Sequence, residues 1–478
     1  MRTEIDFLGE KQIPKEAYYG IHSVRACENF PDHTQFSKEW YQAIGLVKQA
    51  CYLTVISYKK ALAEKYPLKI ETLNLPSDEV LETLVQASIH ESQGDYFDQF
   101  IVPAIQGGAG TSINMNVNEI ISNISLEKLG HQKGDYTTID PIEHANIFQS
   151  TNDVIPTALK VAIMQLLNRL EEAITEMRKP LEQLENSYRN SLRIGYTQMQ
   201  QAVPSSFGHL FGAYNDALSR DWWRVSKAHE RIKTVNLGGG ATGTGIAIPR
   251  FFIMEVVTEL KKMTGLPITQ NENLTEATSN QDSLVEVHAI LKAHAVTLEK
   301  MVNDIRLLSS DLMQQKELEI PARQTGSSIM PGKVNPVIPE FVISAVHKIY
   351  SNDALITHLS AMGTLELNAY LPSIGHAFID SLNLLIACNQ TIAHNLLNGL
   401  KVNEEVAAKN LYLSPSVCTA LLPVIGYHKA TLLAKTMREN RCDIFQANEL
   451  NPVIENQKLN QFMEPGMLLQ KGFSVKDL

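Results

Sequence analysis

The chain holds 478 residues with 42 basic and 52 acidic side chains, a formal charge of −10. That balance argues against nucleic acid as a partner, because gripping phosphates takes a basic face, yet a local site on an acidic protein can still bind a small anion. With 44% apolar and 20% charged residues the composition is that of a folded globular protein, too long for one core and read here as two or three domains.

The opening stretch, MRTEIDFLGEKQIPKEAYYG, lacks the apolar segment and cleavage pattern of a signal peptide. No run approaches about 18 uninterrupted apolar residues, so no membrane partner is expected. Cys27, Cys51, Cys388, Cys418 and Cys442 are scattered, without a CxxC or a Cys/His cluster. This predicts reduced thiols, a cytoplasmic setting and no zinc site.

Three small-polar segments each lead into a helical pattern. The first, QGGAGTSINMNVNEIISN (106–123), has glycines that free the backbone, with Thr111 or Ser112 placed to cap the helix that follows. The second, QSTNDVIP (149–156), precedes a helical pattern over 157–188, which Pro180 should kink or divide. Another helical pattern covers 207–233. The Gly-rich VNLGGGATGTGIAI (235–248) reads as loop. No strand precedes it and no acidic residue follows at the spacing of a βαβ unit, so dinucleotide binding is rejected and no cofactor is required.

Between Pro267 and Pro321 there is neither Gly nor Pro, and Leu284, Val287, Leu291, Leu298, Val302 and Ile305 recur at helical spacing. The pattern predicts a helix over about 281–315, roughly 50 Å long. The third small-polar segment, TGSSIMPGKVNPVIPE (325–340), precedes a helical pattern at 340–362, and a last one covers 377–397. The fold class is therefore mainly α. Five long helices, several apolar around much of their circumference, predict a bundle that also packs against other copies of the chain.

A helix N-terminus offers free N–H groups and a partial positive charge, so it favours carboxylate or phosphate. Either of the first two segments alone reads as an ordinary cap. The third is more particular: two serines, a Met-Pro-Gly turn, Lys333 with three donors, Asn335 with an amide, and Pro336 close to the next helix. Brought together, the three segments would hold a small dianion with no metal ligand.

GSSIMPGKVNP (326–336) resembles the signature of the fumarase/aspartase superfamily. GAGTSINMNVNE (108–119), QSTNDVIPT (149–157) and TQMQQAVP (197–204) resemble, in order, its substrate loops, and the similarity runs along essentially the whole chain. AYYGIHSVRACENF (17–30) is similar to the opening of the aspartase branch. Gln198 matches many of that branch where fumarases carry histidine, although other aspartases keep the histidine.

The resemblance implies an N-terminal mixed, mainly helical domain (1–150), a central five-helix domain (151–402) and a small C-terminal helical domain (403–478). It implies a homotetramer whose central domains form a 20-helix core, each active site drawing loops from three subunits. The implied reaction is reversible elimination of ammonia from L-aspartate to give fumarate, with Ser327 taking the Cβ proton. Thr111, Ser150, Thr151 and Ser328 would hold the β-carboxylate as it gains charge, and Lys333 and Asn335 the α-carboxylate. Asn152 and Gln198 would meet the amino group, with Thr197 alongside, while Gly326 and Gly332 would be hinge points of a closing loop. Glu340 falls where fumarases pair a carboxylate with their histidine, a relay that Gln198 removes. Some aspartases respond to divalent cations, which no ligand cluster in this sequence displays.

The family's third loop has Arg before the Thr and Asp before the Ala; here these are Tyr196 and Gln201. Joint replacement of a charged pair predicts that the two side chains are neighbours. Three other readings compete: a class II fumarate hydratase, a lyase for a related amino-dicarboxylate, and a non-catalytic oligomeric scaffold. Intact Ser327, Lys333, Asn335 and Thr151 oppose the scaffold.

Overall fold

A computed structural model describes residues 1–313 and 315–477. Gln314, inside the predicted 281–315 helix, and Leu478, the end of the predicted third domain, lie outside the described residues. The chain is mainly α-helical, and its strands form short two-stranded sheets. The predicted long helices are Thr151–Ser187, Phe207–Ile232, Asp282–Leu308, Val337–Ser360 and Leu371–Thr391. The third stops at Leu308, short of the expected end, and the last continues into a π-turn at Ile392–Leu397.

The chain divides into two compact units, each assembled from separated segments. One comprises Met1–Glu171, Arg224–Lys292 and His347–Leu384; the other comprises Glu172–Trp223, Ala293–Val346 and Leu385–Leu478.

In the first unit, a 28-residue helix that the sequence patterns did not reveal, Lys38–Lys65, starts at Ser37, whose side chain accepts the Trp40 N–H. Trp40, Tyr41, Ile44 and Val47 are fully buried, each side chain contributing about 1.5–3 kcal/mol of apolar burial. Two glycines let helices approach closely. A Cβ on Gly45 would lie 2.5 Å from the Ser92 nitrogen, and one on Gly375 would lie 2.4 Å from the Trp40 ring.

The short helix Ile21–Asn29 begins without a cap from its own side chains. Glu119 supplies one from a distance, accepting N–H groups from Gly20 and His22 at 2.8 Å as well as the Ser23 hydroxyl. Burial pushes its carboxyl up to about 7. Glu4 accepts the Ile21 N–H at 2.7 Å.

Helix Thr151–Ser187 runs undivided through Pro156 and Pro180, contrary to the expected division at Pro180. Proline at 156 removes the N–H that would bond the Asn152 carbonyl. The Asn236 amide replaces it at 2.9 Å. The break is therefore repaired by a side chain from outside the helix.

In the second unit, strands Leu192–Thr197 and Gln200–Ser206 form an antiparallel hairpin. Leu192 and Ile194 pack into a core built mainly from the C-terminal segment, including Leu411, Leu421, Leu433, Met437, Ile444 and Phe462. Strand Leu318–Glu319 pairs antiparallel with Lys401–Val402.

Two helical stretches, Leu371–Leu397 and Pro415–Asn440, are long and apolar enough to cross a membrane by length and composition. The most apolar window of the first is 67% buried in the fold. The second is broken at Gly426, whose φ of 75° and ψ of 167° are not helical.

Candidate active site

In the first unit, the two loops at Thr111 and Thr151 lie against each other. Gly108, Ala109 and Gly110 all adopt positive φ, and Gly110 is the residue that enters helix Thr111–Lys128. Thr111 and Ser112 are therefore not caps, as the sequence suggested, but the first two residues of the helix. The left-handed Gly-Ala-Gly turn takes the capping position, and no side chain caps this N-terminus. Thr111 is exposed and its hydroxyl donates to the Gly108 carbonyl at 3.0 Å. A Cβ on Gly110 would approach Ile155 to 3.1 Å, so glycine is what lets this loop meet the second helix.

At that second helix, Ser150 is the cap. Its hydroxyl accepts the Asn152 N–H at 3.2 Å, and Asp153 reaches back to accept the Ser150 N–H at 2.9 Å. Asp153 is fully buried and also accepts N–H groups from Gly238 and Gly240 at 3.2 and 2.9 Å. Burial pushes its carboxyl up to about 6 against the pull of those donors. The Gly-rich segment is a loop from residue 236 on, but a short strand, Thr234–Val235, does precede it and pairs parallel with Thr269–Gln270, contrary to expectation; two of the loop's N–H groups are committed to Asp153. Asn152 donates its side-chain amide to the Ala241 carbonyl at 2.7 Å.

The remaining predicted residues belong to the second unit. Gln198 and Met199 form the two-residue turn of the hairpin, with φ of 52° and 61°. Such a primed turn suits Asn-Gly, and two ordinary side chains there are strained. Thr197 flanks the turn, paired with Gln200. Tyr196 and Gln201 are register partners, the adjacency that joint replacement of a pair requires. The Tyr196 hydroxyl donates to Glu317 at 3.4 Å.

Ser327, Ser328, Lys333 and Asn335 share one loop. Its neck is closed by the Gly326 N–H donating to the Lys333 carbonyl at 2.7 Å and the Asn335 amide donating to the Gly326 carbonyl at 2.6 Å. A Cβ on Gly326 would meet that Lys333 oxygen at 2.7 Å, so this glycine serves close approach, while Gly332 (φ 77°) serves a left-handed turn. The loop's base is anchored by Arg323, which donates to the carbonyls of Asn395, His394 and Asn398 at 2.8–3.2 Å. The loop lines an open cleft of about 390 Å³ with Ser327, Lys333 and Thr325 on its walls.

Within the loop, the Ser327 Oγ accepts the backbone N–H groups of Ile329 at 3.2 Å and Met330 at 3.0 Å. Two preorganised donors on one hydroxyl oxygen would stabilise that oxygen if it lost its proton. Ser328 and Lys333 are exposed. Glu340 lies in the first turn of helix Val337–Ser360, 3.6 Å from the Arg306 guanidinium.

Sequence reading missed Asp153, Glu119 and Lys48, a buried lysine that donates to Gln149 at 2.9 Å beside the second loop. The one local signal was a lysine inside the apolar run GLVKQACYL. Among the described residues, no group of three His, Cys, Asp or Glu could hold a metal ion.

A family model described as Lyase matches residues 9–350. An aspartate ammonia-lyase from Bacillus sp is 36% identical, over 99% of this chain and 98% of its own. An aspartate ammonia-lyase from Escherichia coli (strain K12) is 37% identical, over 100% of this chain and 98% of its own. Among solved structures, fumarate lyase:delta crystallin from Brucella melitensis bound to cobalt superposes with a TM-score of 0.88 at 34% identity, covering 97% of this chain and 98% of that one.

Proposed function

Because the chain belongs to the fumarase/aspartase superfamily and matches aspartate ammonia-lyases from end to end, we propose that it eliminates ammonia from L-aspartate to give fumarate, with Ser327 as the base. The observation that carries this reading is the pair of N–H donors on the Ser327 Oγ.

A proton must leave Cβ while the amine leaves Cα. A carbon acid beside a carboxylate is weak, so the aci-carboxylate that develops must be held by donors already in place. In our reading Thr111, Ser150, Thr151 and Ser328 do this, helped by the uncapped N-terminus at Thr111. Lys333 and Asn335 grip the α-carboxylate by a charge-assisted contact. The Asn152 side-chain oxygen and Gln198 receive the ammonium, with Thr197 beside them. In this reading no metal or organic cofactor is required. The scattered, unpaired cysteines support a cytoplasmic location.

We read the site as shared among copies of the chain. Helix Thr151–Ser187 has 37 residues, with the Ser150–Asn152 loop at its start and the chain leading to Thr197 at its end. The resemblance to the superfamily, in which each active site draws loops from three subunits, supports that reading. A homotetramer drawing each site from three subunits, with the parts 1–150, 151–402 and 403–478, is the arrangement we propose.

The test is to follow fumarate by its ultraviolet absorbance with L-aspartate and L-malate supplied separately. Turnover of aspartate alone is the expected result; turnover of malate alone would make the enzyme a hydratase. The Tyr196/Gln201 pair beside Thr197 motivates a second reading, a lyase for a related amino-dicarboxylate. A panel of 2-amino dicarboxylates separates the two.

A further inference from the structure

Beneath the two substrate loops of the first unit lies a cation that the mechanism does not use. Lys48, on helix Lys38–Lys65, is fully buried, and its ammonium donates to the Gln149 side-chain oxygen at 2.9 Å. Gln149 passes the contact on, donating to the carbonyls of Ala145 and Ile147 at 3.3 Å each. Tyr52, one turn along the same helix, donates to the same Ala145 carbonyl at 2.6 Å. Asn146 then joins this segment to the first loop's helix. It donates to the Gln149 carbonyl at 3.1 Å, and its side-chain oxygen accepts from Asn114 at 2.9 Å and Asn118 at 3.3 Å.

The acid nearest in character to a partner is Glu91, fully buried with both carboxyl oxygens lacking a hydrogen bond. Burial holds its carboxyl well above the usual range, and neither of its oxygens takes a hydrogen bond from the lysine. Burial brings Lys48 down to about 8, which leaves it charged at neutral pH. A buried charge without a paired carboxylate is costly, and an apolar residue would fill a helix interior more cheaply. Such an exception to core patterning points to function.

We propose that Lys48 is a positioning residue for dicarboxylate binding: through Gln149 and Asn146 it fixes the start of helix Thr151–Ser187 against the start of helix Thr111–Lys128, and its charge adds to the positive potential of both ends. The inference rests on the reading that these loops hold a substrate carboxylate.

The experiment uses the full-length protein and succinate as a non-reacting dicarboxylate. Lys48→Met keeps the side-chain length and removes the charge. It is expected to weaken succinate binding about tenfold and to lower kcat/KM for aspartate by at least as much, with the assembly intact. Gln149→Leu cuts the relay while leaving the lysine and should weaken succinate in the same direction; it carries the test if Lys48→Met does not fold. Succinate binding unchanged from wild type in a folded variant overturns the proposal, even if thermal stability falls. Failure of the wild-type protein to bind succinate would instead sink the dicarboxylate site itself.

Discussion

At the scale of single residues, the proposed base Ser327, whose Oγ accepts two backbone N–H groups, gives the sharpest test. Ser327→Ala is expected to abolish nearly all turnover while leaving the oligomer intact; a residual rate within about tenfold of wild type would reject the serine base. Lys333→Ala should raise KM strongly and kcat less, as initial-rate kinetics would resolve, because it deletes the charged partner of a carboxylate. Glu119 supplies a pH prediction. Its carboxyl is raised to about 7 from an ordinary 4.5. Stability that depends on the neutral form is therefore full below the unfolded value and is lost as pH rises through about 7, by at most roughly 3 kcal/mol. Thermal melts between those limits should fall more steeply for wild type than for Glu119→Gln. Ser327 and its loop were legible because unusual residue types crowd one short stretch. Glu119, Asp153 and Lys48 were not, since their partners lie about a hundred residues away in sequence and leave no local pattern.

At the scale of elements, the long helices were visible because their apolar spacing repeats for many turns. Helix Lys38–Lys65 escaped because buried residues occupy most of its circumference, including Lys48 and Thr54, which blurs the stripe. Pro180 was weighed as a breaker from its ring alone, and a cap was assigned to Thr111 from its hydroxyl alone. The helix runs through Pro180 undivided, and a left-handed Gly-Ala-Gly turn takes the capping position before Thr111. Gly375→Ala tests the tight helix crossing at Trp40: the added methyl has no room, and a loss of about 2 kcal/mol or more is expected in denaturant titrations. Met199→Gly tests the strained hairpin turn in the opposite direction. Glycine adopts the positive φ freely, so the melting temperature should rise, by an amount equivalent to about 1 kcal/mol or less.

At the scale of the molecule, a site pooled from several copies makes a prediction that a self-contained site does not. Ser327→Ala and Thr151→Ala are each expected to be nearly inactive. Unfolding and refolding them together should restore measurable turnover, because some mixed assemblies regain an intact set of loops. No recovery, with mixed assemblies demonstrated by mass, would mean that each chain furnishes its own centre. If loops of several copies meet at one site, as proposed above, a newly made copy is silent until it finds company. Protein abundance then governs activity twice, once through the number of chains and again through the fraction that has met its neighbours.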